Sequence, residues 1–227
     1  MADRFTSAII VAAGDSTRMG GKLSKQLIPI NDHPAIEYTL KAFQSCSLID
    51  EIIVVARSTD IDDIASIAFE FRKVTTVAAG GATRMDSVSR GVRAADKRAT
   101  HYAIHDGARV LIKPIQIQKV LTAAFEHGAA ALGTPLTDTV KVIGSDNTIL
   151  STPDRSAMWA VQTPQIFEKE LYRRAMENAL SNRLSVTDDC SMVEALGEKV
   201  HVIQGEYSNI KLTTPVDVAI AEALLSK

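Results

Sequence analysis

Short runs of apolar and β-branched residues recur along the chain, and between them apolar positions return every three or four residues. The first kind of run reads as a strand buried on both faces, the second as a helix that buries one stripe. The pattern predicts strands over residues 7–12, 51–56, 74–78, 102–105 and 129–135. It predicts helices over 34–43, with Ile36, Leu40 and Phe43 on one face, and over 61–71, with Thr59 as cap, 88–95 and 115–126. Strands alternating with helices imply an α/β fold with a mostly parallel twisted sheet flanked by helices.

The rhythm breaks at residues 137–155, TDTVKVIGSDNTILSTPDR, where 139–143 goes out, 144–147 turns and 148–151 comes back. This segment reads as a protruding β-hairpin arm within a single domain spanning residues 1–227. Its edges need cover, and a second copy of the chain is the simplest, so a homodimer through the arm is expected. Beyond it the pattern gives a strand over 159–167, a helix over 169–180, a helix over 188–196 capped by Thr187, and a strand over 200–204. A last helix opens at Thr214-Pro215, with Thr as N-cap and Pro in the first turn, and runs through Leu225.

With 46% hydrophobic and 23% charged residues, the 227-residue chain has the makings of a sizeable core. A formal net charge of -2 lacks the basic excess of nucleic-acid binders, so any phosphate ligand must be met by local cations. Cys46 and Cys190 form no Cys-x-x-Cys pair and suit a reducing compartment. The apolar run at residues 8–13 is too short for a secretory or membrane segment. These features make a cytoplasmic protein, with neither membrane nor nucleic acid as partner, the expectation.

The candidate chemistry begins where the first strand ends. Five residues separate Gly14 from Gly20 and Leu23 follows Lys22, so the segment is no Walker A loop; Ser16 stands where a dinucleotide fingerprint needs its central glycine. What remains is small backbone at Ala12-Ala13-Gly14 followed by Arg18, Lys22 and Lys25, which suits several phosphates or an ordinary solvated loop. Three further polar clusters are conspicuous, at residues 80–87, 105–109 and 209–211. Asp106 is the carboxylate best suited to a divalent cation, unless it is merely a turn residue before Gly107. Arg109 suits a phosphate or a nearby acid, and His105 reads as a packed imidazole rather than a base. Neither a Gly-x-Ser-x-Gly elbow nor zinc-type spacing is present.

Taken in order, the motifs Ala-Ala-Gly-x-x-x-Arg-Met at 12–19, Lys-Gln at 25–26, Gly-Gly-x-x-Arg-x-Asp-Ser-Val at 80–88 and His-Asp-x-Ala-Arg at 105–109 carry a resemblance. It continues through Asp-Thr-Val-Lys at 138–141, Asp-Arg-x-x-x-Trp at 154–159, Thr-Pro-Gln-x-Phe at 163–167, Thr-Asp-Asp at 187–189 and Asn-Ile-Lys-x-Thr at 209–213. The chain resembles the 2-C-methyl-D-erythritol 4-phosphate cytidylyltransferases of the non-mevalonate isoprenoid pathway. The resemblance implies a Rossmann-like nucleotidyltransferase fold, CTP as co-substrate and magnesium at Asp106. By the same resemblance Arg18, Lys25 and Lys211 serve the phosphates, and Ala12, Ala13, Gly14, Gly81, Arg84, Ser87 and Asp106 hold the nucleotide. Arg109, Thr163 and Thr187, with Thr139 and Arg155 from the other subunit's arm, would then face the sugar phosphate. The chain departs from the usual family residues at Val11, Leu27, Gly107, Val110 and Cys190, none of them a charged position. Two alternatives stand beside this one: a ribitol 5-phosphate cytidylyltransferase, and a nucleotide-binding regulator without turnover.

Overall fold

The computed structural model describes residues 4–14 and 24–226, so Arg18 and Lys22 lie outside the described residues. In chain order the elements are β1 (Thr6–Ala12), β2 (Pro29–Ile30), β3 (His33–Pro34), α1 (Ala35–Ser45), β4 (Glu51–Ala56), α2 (Ile61–Ala68), β5 (Val74–Ala79), α3 (Arg84–Ala94), β6 (His101–Asp106) and α4 (Pro114–His127). There follow β7 (Ala129–Pro135), β8 (Val142–Ile143), β9 (Ile149–Ser151), β10 (Trp159–Glu168), α5 (Lys169–Ser181), α6 (Asp189–Glu194), β11 (His201–Gln204) and α7 (Pro215–Leu225). Among the described residues, β11-β7-β10-β6-β1-β4-β5 form a seven-stranded sheet. Its strands run parallel except β10, which is antiparallel to both β6 and β7.

Side-chain alternation divides each central strand between two cores. Ala8, Ile10 and Ala12 of β1, with Ile52 and Val54 of β4, pack under Leu40 and Phe43 of α1, Ile64 of α2 and Val120 of α4. Ile9 of β1 and Ile53 and Val55 of β4 face the other way, onto Val88 of α3, Tyr172 and Ala175 of α5 and Val193 of α6. A strand apolar on both faces is the signature of a sheet covered on both sides. A third cluster seats α7, through Ala221, on Ile30, Val110 and Leu212. No helix among the described residues is long and apolar enough to cross a membrane.

Several local expectations change. Thr59 does not cap α2: its hydroxyl donates to Asp60 Oδ1 at 2.9 Å, within a short 3-10 turn, Ser58–Asp60. Asp60 in turn accepts Arg57 in a two-pronged pair at 2.8 and 3.0 Å. The cap of α6 is Asp188 rather than Thr187, since Asp188 Oδ1 accepts the Ser191 N–H at 3.0 Å. The strands found within 137–155 are shorter than the alternation suggests, β8 and β9 pairing over two to three residues. The β2–β3 hairpin escaped the periodicity because its strands are two residues long. Its signal was the turn pair Asn31-Asp32, which takes positive φ at both positions (44° and 67°), as a tight hairpin turn requires.

Helix α3 lies so close to the sheet that a Cβ on Gly91 would sit 2.5 Å from Ile9 Cγ2 and 2.9 Å from Val55 Cγ2. Gly91→Ala should therefore destabilise the fold by about 1–3 kcal/mol net, although alanine is the better helix former by ~1 kcal/mol. Urea unfolding checks this; a midpoint equal to or above that of the unsubstituted chain refutes the close-packing account.

Candidate active site

Strand order reverses beside β1: the chain continues to β4 on one side, while β6 on its other side leads to the far half of the sheet. Open α/β sheets bind ligands at the carboxyl ends of strands at such a place. A cavity of about 350 Å³ opens there, lined by Val11, Ala13, Gly14, Lys25, Gln26, Gly81, Ala82, Thr83, Arg84, Ser87, Asp106, Ala108 and Lys211.

One wall is the turn from β5 into α3. The Gly80 N–H donates to Ala56 O at 2.7 Å, and a Cβ on Gly80 would lie 2.3 Å from Ala13 Cβ, so a glycine is needed for the loops after β1 and β5 to meet. Ser87 Oγ accepts the Gly81 N–H at 3.1 Å and donates to Thr83 O at 2.9 Å, which fixes the loop onto the first turn of α3. Thr83 and Asp86 exchange capping hydrogen bonds of 3.0 and 3.1 Å. Helix α3 thus begins at the cavity, and its positive end, with Arg84 as first residue, favours an anion there.

The opposite wall carries Asp106, at the end of β6. Its Oδ2 lies 2.9 Å from Lys211 Nζ and 3.8 Å from Arg109 Nε, and its Oδ1 lies 3.7 Å from Arg84 Nε. Burial by itself raises this carboxyl; the charges of Lys211, Arg84 and Arg109 outweigh it and lower the pKa to about 2. Arg84 Nη1 also donates to Asp189 Oδ2 at 2.6 Å. Burial pushes the Asp189 carboxyl up while Arg84 and the Tyr172 hydroxyl pull it back. Burial wins, leaving Asp189 above the usual carboxylate range; Arg84 is charged, because a guanidinium does not shed its proton at accessible pH.

Behind Asp106 lies a buried polar layer. Thr163 Oγ1 accepts the Asp106 N–H at 3.0 Å and lies 3.1 Å from His105 Nδ1, while His105 Nε2 lies 3.4 Å from Arg109 O. The network assigns one tautomer: Nε2–H donates to the carbonyl and Nδ1 accepts the threonine proton. His105 is fully buried against Phe43, and burial lowers its pKa to about 3. It is a packed, neutral imidazole, as its sequence context implies. Arg109 Nη1 donates to Asn209 O at 2.7 Å, and its buried Nε has no hydrogen-bond partner.

Of the residues singled out from sequence, Ala13, Gly14, Lys25, Gly81, Arg84, Ser87, Asp106 and Lys211 line the cavity. Ala12 lies in the core, so it can offer a ligand only its backbone. Arg109 and Thr163 stand behind Asp106. Thr139, Arg155 and Thr187 are exposed and are not part of the lining; the Arg155 guanidinium donates to Thr137 O. The sequence motifs include Gln26 and Asp189 but assign them no role; Tyr172 was missed because its place depends on tertiary packing, and Thr83 although its spacing to Asp86 is a readable capping signal.

The chain matches the family model "2-C-methyl-D-erythritol 4-phosphate cytidylyltransferase" over residues 6–227. It is 44% identical over 224 residues to the protein of that name from Caldanaerobacter subterraneus subsp. tengcongensis, covering 97% of this chain and 99% of the relative. It is 41% identical to its namesake from Symbiobacterium thermophilum, with 97% and 93% covered. The crystal structure of 4-diphosphocytidyl-2C-methyl-D-erythritol synthase from Anaerococcus prevotii superposes with a TM-score of 0.89 at 35% identity, covering 99% of each chain. The chain belongs to the 2-C-methyl-D-erythritol 4-phosphate cytidylyltransferase family. Membership gives the Gly107 departure a local meaning, since a Cβ there would lie 3.1 Å from Gln26 Oε1 and 3.2 Å from Ile10 Cγ2.

His105 should make the fold sensitive to acid. In the unfolded chain a histidine titrates near ~6.5, whereas in the fold it stays neutral down to about 3. Its contribution is complete above about pH 6.5 and is lost progressively as pH falls, with a slope of up to about 1.4 kcal/mol per pH unit. Urea unfolding between pH 6.5 and 5 should show this slope in the unsubstituted chain and a smaller one in His105→Gln, whatever that variant's absolute stability. Equal slopes refute the assignment.

Proposed function

We propose that the chain transfers CMP from CTP to 2-C-methyl-D-erythritol 4-phosphate, giving 4-diphosphocytidyl-2-C-methyl-D-erythritol and pyrophosphate. The observation that carries this reading is the convergence of Lys25, Arg84, Lys211 and the N-terminus of α3 on one cavity at the end of β1, in a chain of this family. The named relatives favour methylerythritol phosphate over ribitol 5-phosphate. The presence of Lys25 and Lys211 in the cavity favours turnover over a silent nucleotide-binding role.

A phosphate oxygen of methylerythritol phosphate attacks the α-phosphorus of CTP, and the bond from that phosphorus to the bridging oxygen breaks as pyrophosphate leaves. There is little covalent work for the protein; it must position two anions and stabilise charge moving onto the leaving group. Ala13, Gly14 and the 81–83 loop hold the nucleotide by backbone, and Arg84 and Ser87 shape its pocket. Lys25, Lys211 and Arg18 stabilise the triphosphate and departing pyrophosphate. Arg109, behind Asp106, would serve the phosphate of the second substrate by its guanidinium. Thr163 supports this site by holding the Asp106 backbone.

Magnesium fits as a companion of the nucleotide. No group of three His, Cys, Asp or Glu among the described residues could hold a metal, and Asp106 is ringed by cations. A divalent ion bringing its own phosphate oxygens needs only one such carboxylate. Asp106 would hold it, and it would neutralise the triphosphate as charge shifts.

Thr139, Thr187 and Arg155 complete the sugar-phosphate side, with Thr139 and Arg155 reaching from the arm of a second copy in a homodimer. The apolar residues of the short hairpin, Val142, Ile143, Ile149 and Leu150, are 43–65% exposed. A hairpin of this size is marginal in water, which supports cover by a partner.

Pyrophosphate release should be fast with CTP and methylerythritol phosphate and slow with ribitol 5-phosphate in its place; the reverse order refutes the substrate assignment. Lys211→Ala should lower kcat by ~10²–10³ while the fold persists, and a folded variant of undiminished kcat removes Lys211 from catalysis. Mixing Arg155→Ala and Lys25→Ala chains should restore part of the activity each lacks, because heterodimers contain one intact shared site. Heterodimers that restore nothing place Arg155 in its own subunit's site.

A further inference from the structure

We propose that Asp189 and Tyr172 are positioning residues for nucleotide binding, holding the Arg84 guanidinium against the cavity and away from a closed pair with Asp106. The inference rests on the reading of the cavity as the CTP site.

Arg84 stands between two carboxylates. Its Nη1 donates to Asp189 Oδ2 at 2.6 Å, while its Nε remains 3.7 Å from Asp106 Oδ1, near enough to attract but too far to hydrogen-bond. Asp189 is held firmly enough to act as an anchor. The Tyr172 hydroxyl donates to its other oxygen at 2.5 Å, and its backbone N–H donates to Gln165 Oε1 at 3.0 Å. Asp189, Tyr172 and Gln165 are all inaccessible or nearly so, whereas the Arg84 side chain is 30% exposed and lines the cavity. The anchor is therefore behind the wall and the working group in front of it.

A buried ion pair gives the fold little that apolar packing would not. What this one fixes is direction. Among the described residues, the ion-pair partner left to an Arg84 released from Asp189 is Asp106, whose Oδ1 it would take. Such a closed pair would draw Arg84 off the nucleotide and compete with Lys211 for the same carboxylate. Tyr172 and Asp189 belong to α5 and α6, and no residue of either helix is among the described residues that line the cavity, so the route from this pair to the cavity runs through Arg84.

The test is a double-mutant cycle read by calorimetric CTP affinity and by the KM of each substrate. Asp189→Asn keeps the shape and removes the charge. It should raise the Kd for CTP about tenfold, the equivalent of one charge-assisted hydrogen bond, and leave the KM of methylerythritol phosphate within about twofold. The same substitution in an Arg84→Ala background should add nothing. An unchanged Kd, or an equal increment with and without Arg84, overturns the proposal. If Asp189→Asn does not fold, Tyr172→Phe takes its place; it should raise the Kd about threefold only when Arg84 is present, and equal increments or none overturn the proposal. An unsubstituted chain that fails to bind CTP at all overturns the nucleotide reading itself, a result distinct from normal binding that ignores Asp189.

Discussion

A carboxylate withdrawn from water must find cations, and Asp106 draws its own from three separate parts of the chain. Lys211 follows β11, Arg84 opens α3 and Arg109 lies in the turn after β6. The loops converge because parallel strands end on one edge, and the charges bind the loops together once they arrive. The three cations outnumber Asp106 and the buried Asp189 that they face, which leaves a net positive rim. On the proposed reading, an incoming triphosphate would meet groups already aimed, with little reorganisation left when charge develops on the leaving group.

The backbone of Asp106 is fixed as carefully as its side chain. Thr163 accepts its N–H, His105 accepts the threonine proton, and the Arg109 carbonyl accepts from His105. Asn209 closes the layer, donating to Gln162 Oε1 and Thr163 O. Four of these five links are buried and the one from His105 to the Arg109 carbonyl is partly so; away from water a hydrogen bond is stronger and a missing partner is costly. A polar layer, packed against Phe43 through His105, thus underlies the site.

The sheet and most helices were legible because their residues repeat with a definite period. Residues 51–56 and 129–135 coincide with β4 and β7, since strands buried on both faces are continuous apolar runs. Caps were harder to read: Thr59 and Thr187 have the right chemistry, but a neighbouring aspartate occupies the position. The cavity's cations were conspicuous by motif, so their convergence could be foreseen. Asp189 and Tyr172 could not, because no local pattern says that a buried aspartate and a tyrosine 17 residues away meet behind an arginine. Thr163 has a role visible only in three dimensions, since its hydroxyl is engaged with Asp106 and His105.

The reversed direction of β10 has an architectural consequence. Trp159, where β10 begins, pairs with Pro135, where β7 ends, and the Leu136 N–H still donates to Met158 O at 3.0 Å. Topologically, everything between residues 136 and 158 is the loop of a hairpin, rooted at both ends on the ligand edge of the sheet. Such a loop can lengthen, shorten or be exchanged without altering strand order or either core. The fold therefore carries a replaceable module that shares no residue with the lining of the cavity.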